Sequence, residues 1–336
     1  MARRDAILDA VVEADRLHKE FATQARAERG EGRIDVFGML VRRDIPVMVR
    51  PLRGLLGAYI DNPDRGVIVT SQRPLPVQRF TAAHEFGHAA LGHTASLDEE
   101  DILMGAPFVT DGSPDLQEVQ ANAFASQLLT PSWLIVQHMK RQGWTRDHLT
   151  DPLVVYQLAL RMGSSFAATC YALAESKGID KPTCERLLKI RPKTIKQSLA
   201  KPYAPQTWYG DVWLVTERDH GLVLEGSRTD LVVLKFQEHA SSGYIWQFGA
   251  LAEVGFAIVN DGRAASGGKA HIGGVVSRTV IAEPQDGASG HVCLREVRPW
   301  QDAGEPLQSL ELDVNLSGPV PAGLLAAQRV KLLGVA

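Results

Sequence analysis

Two histidines and a glutamate stand at helical spacing in the stretch His84-Glu85-Phe86-Gly87-His88. Histidines four residues apart lie on one face of an α-helix, one turn apart, where both imidazoles can bind the same metal ion. Glu85 lies about 100° round the helix from His84, where its carboxylate can act as a general base on a metal-bound water. A zinc ion held in this way acidifies its water and polarises a carbonyl group, so the pattern indicates metal-assisted hydrolysis.

This five-residue pattern also occurs by chance on helices of unrelated proteins, so the flanking residues matter. The neighbours are small or apolar on most sides: Phe80, Ala83, Phe86, Ala89, Ala90 and Leu91. They predict a helix from Val77 to Leu91 that is buried on most faces. Polar side chains inside such a helix need partners or a ligand, which favours the metal site.

A catalytic zinc site needs a third protein ligand and one open position. His93 follows His88 by five residues, about 140° away round a helix, so we interpret it as a helix-end or supporting residue. Glu118 begins a second predicted helix, 115–129, and is the better candidate, with a solvated surface glutamate as the alternative. The face that carries Glu118 is made of small and polar residues suited to close packing against another helix: Ala121, Asn122 and Ala125.

The elements around these residues predict an α+β protein with two domains. Amphipathic helices are predicted over 5–28 and 34–41, short strands over 45–49, 57–60 and 66–70, and further helices from 115 to about 200. After Pro205 the sequence turns rich in valine, glycine and aromatic residues, which indicates short strands of a β-sandwich or barrel. We place the boundary at 206, with an N-terminal domain over 1–206 and a C-terminal domain over 207–336.

The composition is that of a soluble globular protein, with 336 residues, 45% hydrophobic and 22% charged residues and a net charge of −3. The three cysteines, Cys170, Cys184 and Cys293, have no C-x-x-C spacing, which argues against a disulfide framework and suits a reducing compartment. The N-terminus lacks the apolar core of a signal peptide, and no apolar run approaches the length of a membrane span. We therefore expect a cytoplasmic protein without a membrane partner.

Residues 79–93 and the segment Glu118-x-x-Ala-Asn-x-Phe-Ala-x-x-Leu-Leu-x-Pro resemble the ImmA/IrrE family of bacterial metallopeptidases. The resemblance extends over roughly residues 5–175. It implies a mainly helical, zincin-like metallopeptidase domain that holds one Zn²⁺ per chain. It also implies His84, His88 and Glu118 as the zinc ligands and Glu85 as the general base.

The same resemblance implies the kind of substrate. Such enzymes make limited cuts in a partner transcriptional repressor with a helix-turn-helix domain, which relieves repression in stress, DNA-damage or defence responses. The alternative is a zinc-holding sensor or a peptidase-inhibitor-like binding protein with little proteolysis. Candidate donors for the oxyanion of the reaction are Tyr59, Tyr156 and Arg161, although each also suits a structural role.

A basic connector extends over residues 177–201. Its cations are Lys177, Lys181, Arg186, Lys189, Arg191, Lys193, Lys196 and Lys201, against Asp180 and Glu185. One interpretation is a solvated helix and linker. The other is a phosphate-binding patch, which would suit a protease activated by single-stranded DNA.

The C-terminal domain resembles the chagasin-like inhibitors of cysteine peptidases, which are small immunoglobulin-like β-sandwiches. The resemblance covers about 211–316, and it implies binding residues in three loops: Gly243, Tyr244, Trp246, Gly273, Gly274, Arg298, Pro299 and Trp300. The first loop departs from the family at residues 239–242, and the middle loop is reduced. A recognition module, a structural cap and a retained inhibitor all stay open, because these aromatics also suit the core of a β-domain. Cys293, a possible zinc thiolate, is more commonly a small core residue.

Overall fold

A computed structural model describes most of the chain. The described residues are 2–29, 32–52, 54–61, 65–93, 97–99, 109–110, 113–265, 274–301 and 304–317. They divide into two compact units, the first within residues 1–138 and 158–184 and the second within 139–157 and 185–319. The predicted boundary at residue 206 stays a prediction.

The first unit combines helices with one small mixed sheet. Its helices are α1 (Ala2–Glu20), α2 (Thr23–Glu28), α3 (Val36–Arg42), α4 (Leu75–Leu91) and α5 (Leu116–Leu129). Its strands are β1 (Val47–Arg50), β2 (Leu55–Ile60), β3 (Gly66–Thr70), β4 (Leu97–Glu99) and the short pair β5 (Val109–Thr110) and β6 (Ser113–Pro114). The sheet has the order β1-β3-β2-β4. β3 pairs in parallel with β1 and antiparallel with β2, and its Val67 and Val69 are buried.

Four further helices follow α5 along the chain. They are α6 (Ser132–Gln142), α7 (Pro152–Met162), α8 (Phe166–Glu175) and α9 (Lys181–Leu188). The division between the two units falls inside α6, α7 and α9. α8 belongs to the first unit, and its Ser165 caps the N-terminus by accepting a hydrogen bond from the Ala168 amide.

The sequence explains where α4 starts and stops. Pro76 stands in the first turn, where a missing N–H costs nothing, and Gly92 ends the helix in the left-handed conformation at φ 70°. The helix between them is buried on most sides, as its sequence predicts. α5 starts with Asp115, whose side chain accepts a hydrogen bond from the Gln117 amide.

α4 and α5 pack at very short range. A Cβ atom on Gly87 would stand 3.1 Å from Phe124 Cδ1 and 3.2 Å from Ala121 Cα, so a larger residue would have to push the two helices apart by a few tenths of an ångström. Phe86 and Phe124 meet edge to face beside that point, with ring centroids 5.8 Å apart. The small-residue face of the Glu118 helix therefore serves the close helix contact that its sequence predicts.

The second unit is built on a β-sandwich. The strands are β7 (Val212–Val215), β8 (Leu222–Glu225), β9 (Leu231–Glu238), β10 (Ile245–Gln247), β11 (Phe256–Ala265), β12 (Val276–Pro284), β13 (Ser289–Val297) and β14 (Gln308–Asn315). They form two four-stranded sheets, β10-β13-β14-β8 and β11-β12-β9-β7. Phe236 of one sheet meets Trp246 of the other, with ring centroids 4.6 Å apart, which places the core between the sheets. The predicted α+β class with a C-terminal sandwich is confirmed.

The basic connector is helical, since it contains α9 and α10 (Pro192–Leu199). Lys196 of α10 is buried, and its ammonium group donates to Asp211 Oδ1 at 2.9 Å and to the Gly210 carbonyl at 2.8 Å. This cation therefore stabilises the interior of the second unit. Most other cations of the connector lie on the surface.

The predicted N-terminal helix over 5–28 is two helices in the structure. The chain breaks at Ala22, which adopts a left-handed conformation at φ 47°, and α2 begins directly after it. Among the residues that the structure describes, no helix has the length and apolar character needed to cross a membrane.

Candidate metal centre

Three side chains on α4 and α5 converge on one point inside the first unit. His84 and His88 are fully buried, and Glu118 is 7% exposed. The two Nε2 atoms lie 3.1 Å apart. Glu118 Oε2 lies 3.2 Å from His84 Nε2, and Glu118 Oε1 lies 3.5 Å from His88 Nε2.

These three residues suit a zinc ion. Ligand atoms about 2.0–2.1 Å from a tetrahedral zinc stand roughly 3.3 Å from each other, close to the three separations above. Two imidazole nitrogens and a carboxylate oxygen are also a donor set that catalytic zinc takes. Within the described part of the chain, Glu118 Oε2 is buried and accepts no hydrogen bond, although a buried carboxylate oxygen normally has a partner. The residues therefore fit the metal that the sequence predicts.

The side-chain amide of Asn122 orients the His84 imidazole. Its Nδ1 lies 3.1 Å from Oδ1 of Asn122, on the turn of α5 that follows Glu118. Because an amide oxygen only accepts, we assign the His84 proton to Nδ1, which leaves the Nε2 lone pair directed toward the metal position.

His88 is oriented by a chain of two residues. His93 Nε2 lies 3.1 Å from Oε1 of Gln120, and His93 Nδ1 lies 3.1 Å from His88 Nδ1. The Gln120 oxygen accepts the His93 proton, so His93 Nδ1 accepts a proton from His88 Nδ1–H. This order directs the Nε2 lone pair of His88 toward the metal position. Burial lowers the pKa of His93, which favours the neutral ring that the chain requires.

The end of α4 brings His93 to this position. Gly92 takes the left-handed conformation, and the His93 amide donates to the His88 carbonyl at 3.0 Å. The chain therefore folds back at the helix end, and His93 does not continue 140° round the helix. The interpretation of His93 as a helix-end residue that supports a ligand agrees with this geometry.

Glu85 follows His84 on α4, and its carboxylate lies against strand β2. Its side chain is fully buried, and a Cβ atom on Gly57 would stand 2.7 Å from Glu85 Oε1 and would also contact Thr81 Cγ2. The strand can pass this close only because Gly57 has no side chain. Glu85, His84 and His88 thus occupy one side of α4, under β2 and beside α5.

The three candidate oxyanion donors have other surroundings. Tyr59 donates its phenolic hydrogen to Asp61 Oδ1 at 3.0 Å. Tyr156 lies in the second unit, where it donates to Asp211 Oδ1 at 2.8 Å and accepts from the Val212 amide at 3.0 Å. Arg161 is a buried residue of α7. The contacts of Tyr59 and Tyr156 favour the structural alternative for both.

Some of the predicted binding residues of the C-terminal domain form one cluster at the surface. Trp300 is 68% exposed and covers Gly243, where an added Cβ atom would meet the indole ring. Arg298 lies over the Tyr244 ring at 4.5 Å from its centroid and donates to the Ser242 carbonyl at 3.2 Å. Pro299, next to Trp300, is exposed. Two of the three predicted loops therefore lie side by side.

The remaining predicted binding residues of this domain are not seen in this surface cluster. Trp246 is 2% exposed, and its indole N–H donates to the Gln237 carbonyl at 2.9 Å, so it is a core residue of the sandwich. Gly274 is exposed, while Gly273 lies outside the described residues. Cys293 is half-buried on β13 of the second unit and is not among the residues that converge on the metal position.

Sequence reasoning did not single out Gln120 and Gly57 as parts of the site, and it took Asn122 only as a member of a small-residue face. Gln120 and Asn122 follow Glu118 by two and four residues. Their closeness in sequence to a predicted ligand is the one signal that could have placed them at the site. Gly57 carries no such signal, since its contact with Glu85 depends on how β2 crosses α4.

A model of the IrrE N-terminal-like domain of the M78 peptidase family matches residues 41–174. The radiation response metalloprotease IrrE of Deinococcus radiodurans is 32% identical over 128 residues, which cover 37% of this chain and 35% of that protein. An uncharacterized immunity region protein of Bacillus phage phi105 is 30% identical over 99 residues, which cover 28% of this chain and 56% of that protein. The chain thus spans between about a third and just over half of the length of these two relatives.

Among solved structures, a cysteine protease inhibitor from Entamoeba histolytica matches 33% of this chain and 99% of its own, at 23% identity and a TM-score of 0.30.

The family match at 41–174 includes Glu85 and the whole predicted ligand set, His84, His88 and Glu118. Residues 41–174 of this chain therefore form a domain similar to the IrrE N-terminal-like domain of the M78 peptidases.

Proposed function

We propose that this protein is a zinc-dependent endopeptidase that makes limited cuts in a partner helix-turn-helix repressor and so relieves repression in a stress, DNA-damage or defence response. The observation that carries the proposal is the convergence of His84, His88 and Glu118 on one buried point, with Glu85 beside them. A zinc site that served only structure would have no need of a carboxylate in the position of Glu85.

His84 and His88 would hold the metal through Nε2, and Glu118 would hold it through its carboxylate. Zinc, when bound there, supplies a Lewis acid for the scissile carbonyl. Glu85 takes a proton from the attacking water on its carboxylate and passes it to the leaving amide nitrogen. Asn122 and His93 keep the two imidazoles in the tautomer that binds metal, and the buried surroundings exclude bulk water from the proton transfer.

The regulatory part of the proposal is supported by two relatives. One is named as a radiation response metalloprotease, and the other comes from the immunity region of a phage. Both names connect relatives of this domain with a controlled response. A repressor is the protein whose limited cleavage would switch such a response.

The decisive experiment is co-expression of this chain with a helix-turn-helix repressor encoded beside its gene, followed by mass spectrometry of the repressor fragments. The wild-type protein should release fragments from one cleavage site. Glu85→Gln should release none while retaining stoichiometric zinc, and Glu28→Gln, which changes an exposed glutamate, should cut normally. Fragments from the Glu85→Gln protein would contradict the assigned base.

A binding role for the C-terminal domain is the second candidate. It is favoured by the exposed cluster in which Trp300 covers Gly243 and Arg298 lies over Tyr244. The test is inhibition of papain by the full chain and by Trp300→Ala. Inhibition by the wild type that is lost in Trp300→Ala would support an inhibitor, whereas the absence of inhibition by the wild type would contradict it.

Activation by single-stranded DNA stays a hypothesis based on the basic connector. Repressor cleavage should be measured with and without single-stranded DNA at two salt concentrations, because phosphate contacts weaken steeply with salt. The same rate in all four reactions would contradict it. Lys196 should be left out of any charge-removal series, since its ammonium group holds Asp211 inside the second unit.

A further inference from the structure

A cavity of about 280 Å³ opens in the first unit on the side of Thr81. Its walls come from the N-terminal half of α4, the C-terminal end of α5 and one face of α8, with Leu56 added by β2. The lining is mainly apolar and includes Val77, Phe80, Leu129 and Ala172. Every residue of the lining lies within the first unit.

The cavity adjoins the proposed catalytic site at Thr81. This residue lines the cavity and precedes Glu85 by one helical turn, so both side chains lie on the same side of α4. Both also meet β2 at the same point, Gly57. Thr81 is fully buried, and its hydroxyl oxygen has no hydrogen-bond partner among the described residues. A peptide bound beside Glu85 therefore has an apolar space within one residue's reach.

The size of the cavity limits what it can hold. Pockets for drug-sized ligands measure about 300–1,000 Å³, so a space of about 280 Å³ suits one large side chain. Three alanines on α8 leave this room, namely Ala167, Ala168 and Ala172, and Tyr171 adds an exposed aromatic ring. Glu175 also lines the space, which disfavours an acidic occupant.

We propose that this cavity receives an apolar side chain of the protein substrate next to the cleaved bond, and that α8 thereby determines cleavage specificity. The proposal rests on the peptidase function proposed above. It gives helix α8 a role in selecting the peptide sequence that is cut. Ala168, Ala172 and Tyr171 are its specificity-determining residues.

The test measures peptide binding without catalysis. Zinc-loaded full-length Glu85→Gln protein is titrated with fluorescein-labelled octa-alanine peptides that carry one leucine, phenylalanine or aspartate at each position in turn. Peptides with leucine or phenylalanine at one position should bind about 10-fold or more tightly than octa-alanine, and aspartate should give no gain. Adding Ala168→Leu should fill the cavity and bring leucine, phenylalanine and alanine peptides within about 2-fold of each other.

Two further variants separate specificity from folding. Ala174→Leu makes the same change on α8 outside the cavity lining and should keep the full preference. Tyr171→Ala removes an exposed ring, which leaves the core intact, and should reduce the preference. Equal binding of all peptides by zinc-loaded protein, or an unchanged preference in Ala168→Leu and Tyr171→Ala, would overturn the cavity assignment alone. Protein that takes up no zinc and binds no peptide would contradict the peptidase function together with it.

Discussion

His93 stands directly behind the predicted metal ligand His88, with the Nδ1 atoms of the two imidazoles 3.1 Å apart. The far side of His93 is fixed in turn by Gln120, 3.1 Å from its Nε2. The His88 imidazole, whose Nε2 is the predicted metal-binding nitrogen, is therefore oriented by a chain of hydrogen bonds that starts on α5 and returns to α4. His93 acts on the metal only through His88, as a positioning residue.

Replacing His93 should weaken metal binding without removing a ligand. His93→Phe leaves His88 without the acceptor that orients it, and loss of such a partner typically costs about 10- to 100-fold in metal affinity. The measurement is competition for zinc with a fluorescent chelator. His291→Phe, an exposed change on β13, is the control, and equal affinities for the two variants would show that His93 does not position His88.

Removing the metal should destabilise the first unit. His84 and His88 on α4 and Glu118 on α5 are buried polar groups whose side-chain atoms lie close enough to share one ligand. A ligand at 1,000 times its Kd adds about 4 kcal/mol to the free energy of unfolding, so a chelator should lower the Tm of the wild type. Glu118→Ala should lose most of this zinc-dependent shift. Glu28→Ala should keep it, and a zinc shift that survives Glu118→Ala would exclude Glu118 as a ligand.

Gly57→Ala tests the close approach of β2 to Glu85, the proposed general base. The new methyl group would stand 2.7 Å from Glu85 Oε1 and 3.0 Å from the Ile68 carbonyl oxygen, so the carboxylate or the strand must move. A displacement of about 1 Å at a reacting group can cost about 100-fold in rate, and we expect a loss of that order with zinc binding retained. Gly66→Ala, where the nearest atom is 3.6 Å away, is the control for alanine on a strand of the same sheet. Equal repressor cleavage by both variants would contradict this contact.

The second unit should lose stability in acid because of a buried arginine. Arg278 donates to Glu238 Oε2 at 2.7 Å and to both oxygens of Asp261, at 2.7 and 3.0 Å. Burial favours a higher pKa for Glu238, but hydrogen bonds from Arg263 and Arg278 outweigh it and hold that pKa below its usual value. The hydrogen bond from Arg278 lowers the pKa of Asp261.

Carboxylates with lowered pKa values stabilise the fold above their ordinary values of 4.5 and 3.8, and this stability is lost as the pH falls through the lowered values. Arg278→Met should cost about 3–5 kcal/mol at pH 7, because it leaves Glu238 buried with less compensation. The difference from the wild type should shrink between pH 6 and pH 3, as measured by urea unfolding. Arg263→Met, at a half-exposed pair, should cost less. A difference that does not depend on pH would contradict the charge assignment.

The convergence of His84, His88 and Glu118 was predictable because helix geometry fixes much of it locally. The spacing of His84 and His88 needs only a helix, and the small face around Glu118 needs only a partner at close range, which Gly87 provides. The residues that orient the site were harder to predict. Gln120 and Gly57 act through contacts between separate elements, and a single sequence contains no information on how β2 crosses α4.

Residue type also failed to separate core from surface in the C-terminal domain. Trp246 and Trp300 are both tryptophans of predicted loops, yet one is 2% and the other 68% exposed. Lys196 is a similar case among the cations of the basic connector, because it is buried and its ammonium group forms an ion pair with Asp211. Whether an amphipathic side chain is buried depends on its place in the packed sheets and helices. The pattern of apolar residues along a short strand predicts that place poorly.

A Cβ atom placed on Gly92 would have no neighbour within 4 Å among the described residues. Its left-handed backbone nevertheless folds His93 back onto His88. A side chain at this position would meet open space but would strain the backbone, and the helix end could relax by releasing His93. The affinity of the proposed metal centre would therefore depend partly on where helix α4 stops, and a substitution at Gly92 would alter the centre through the backbone and the position of His93.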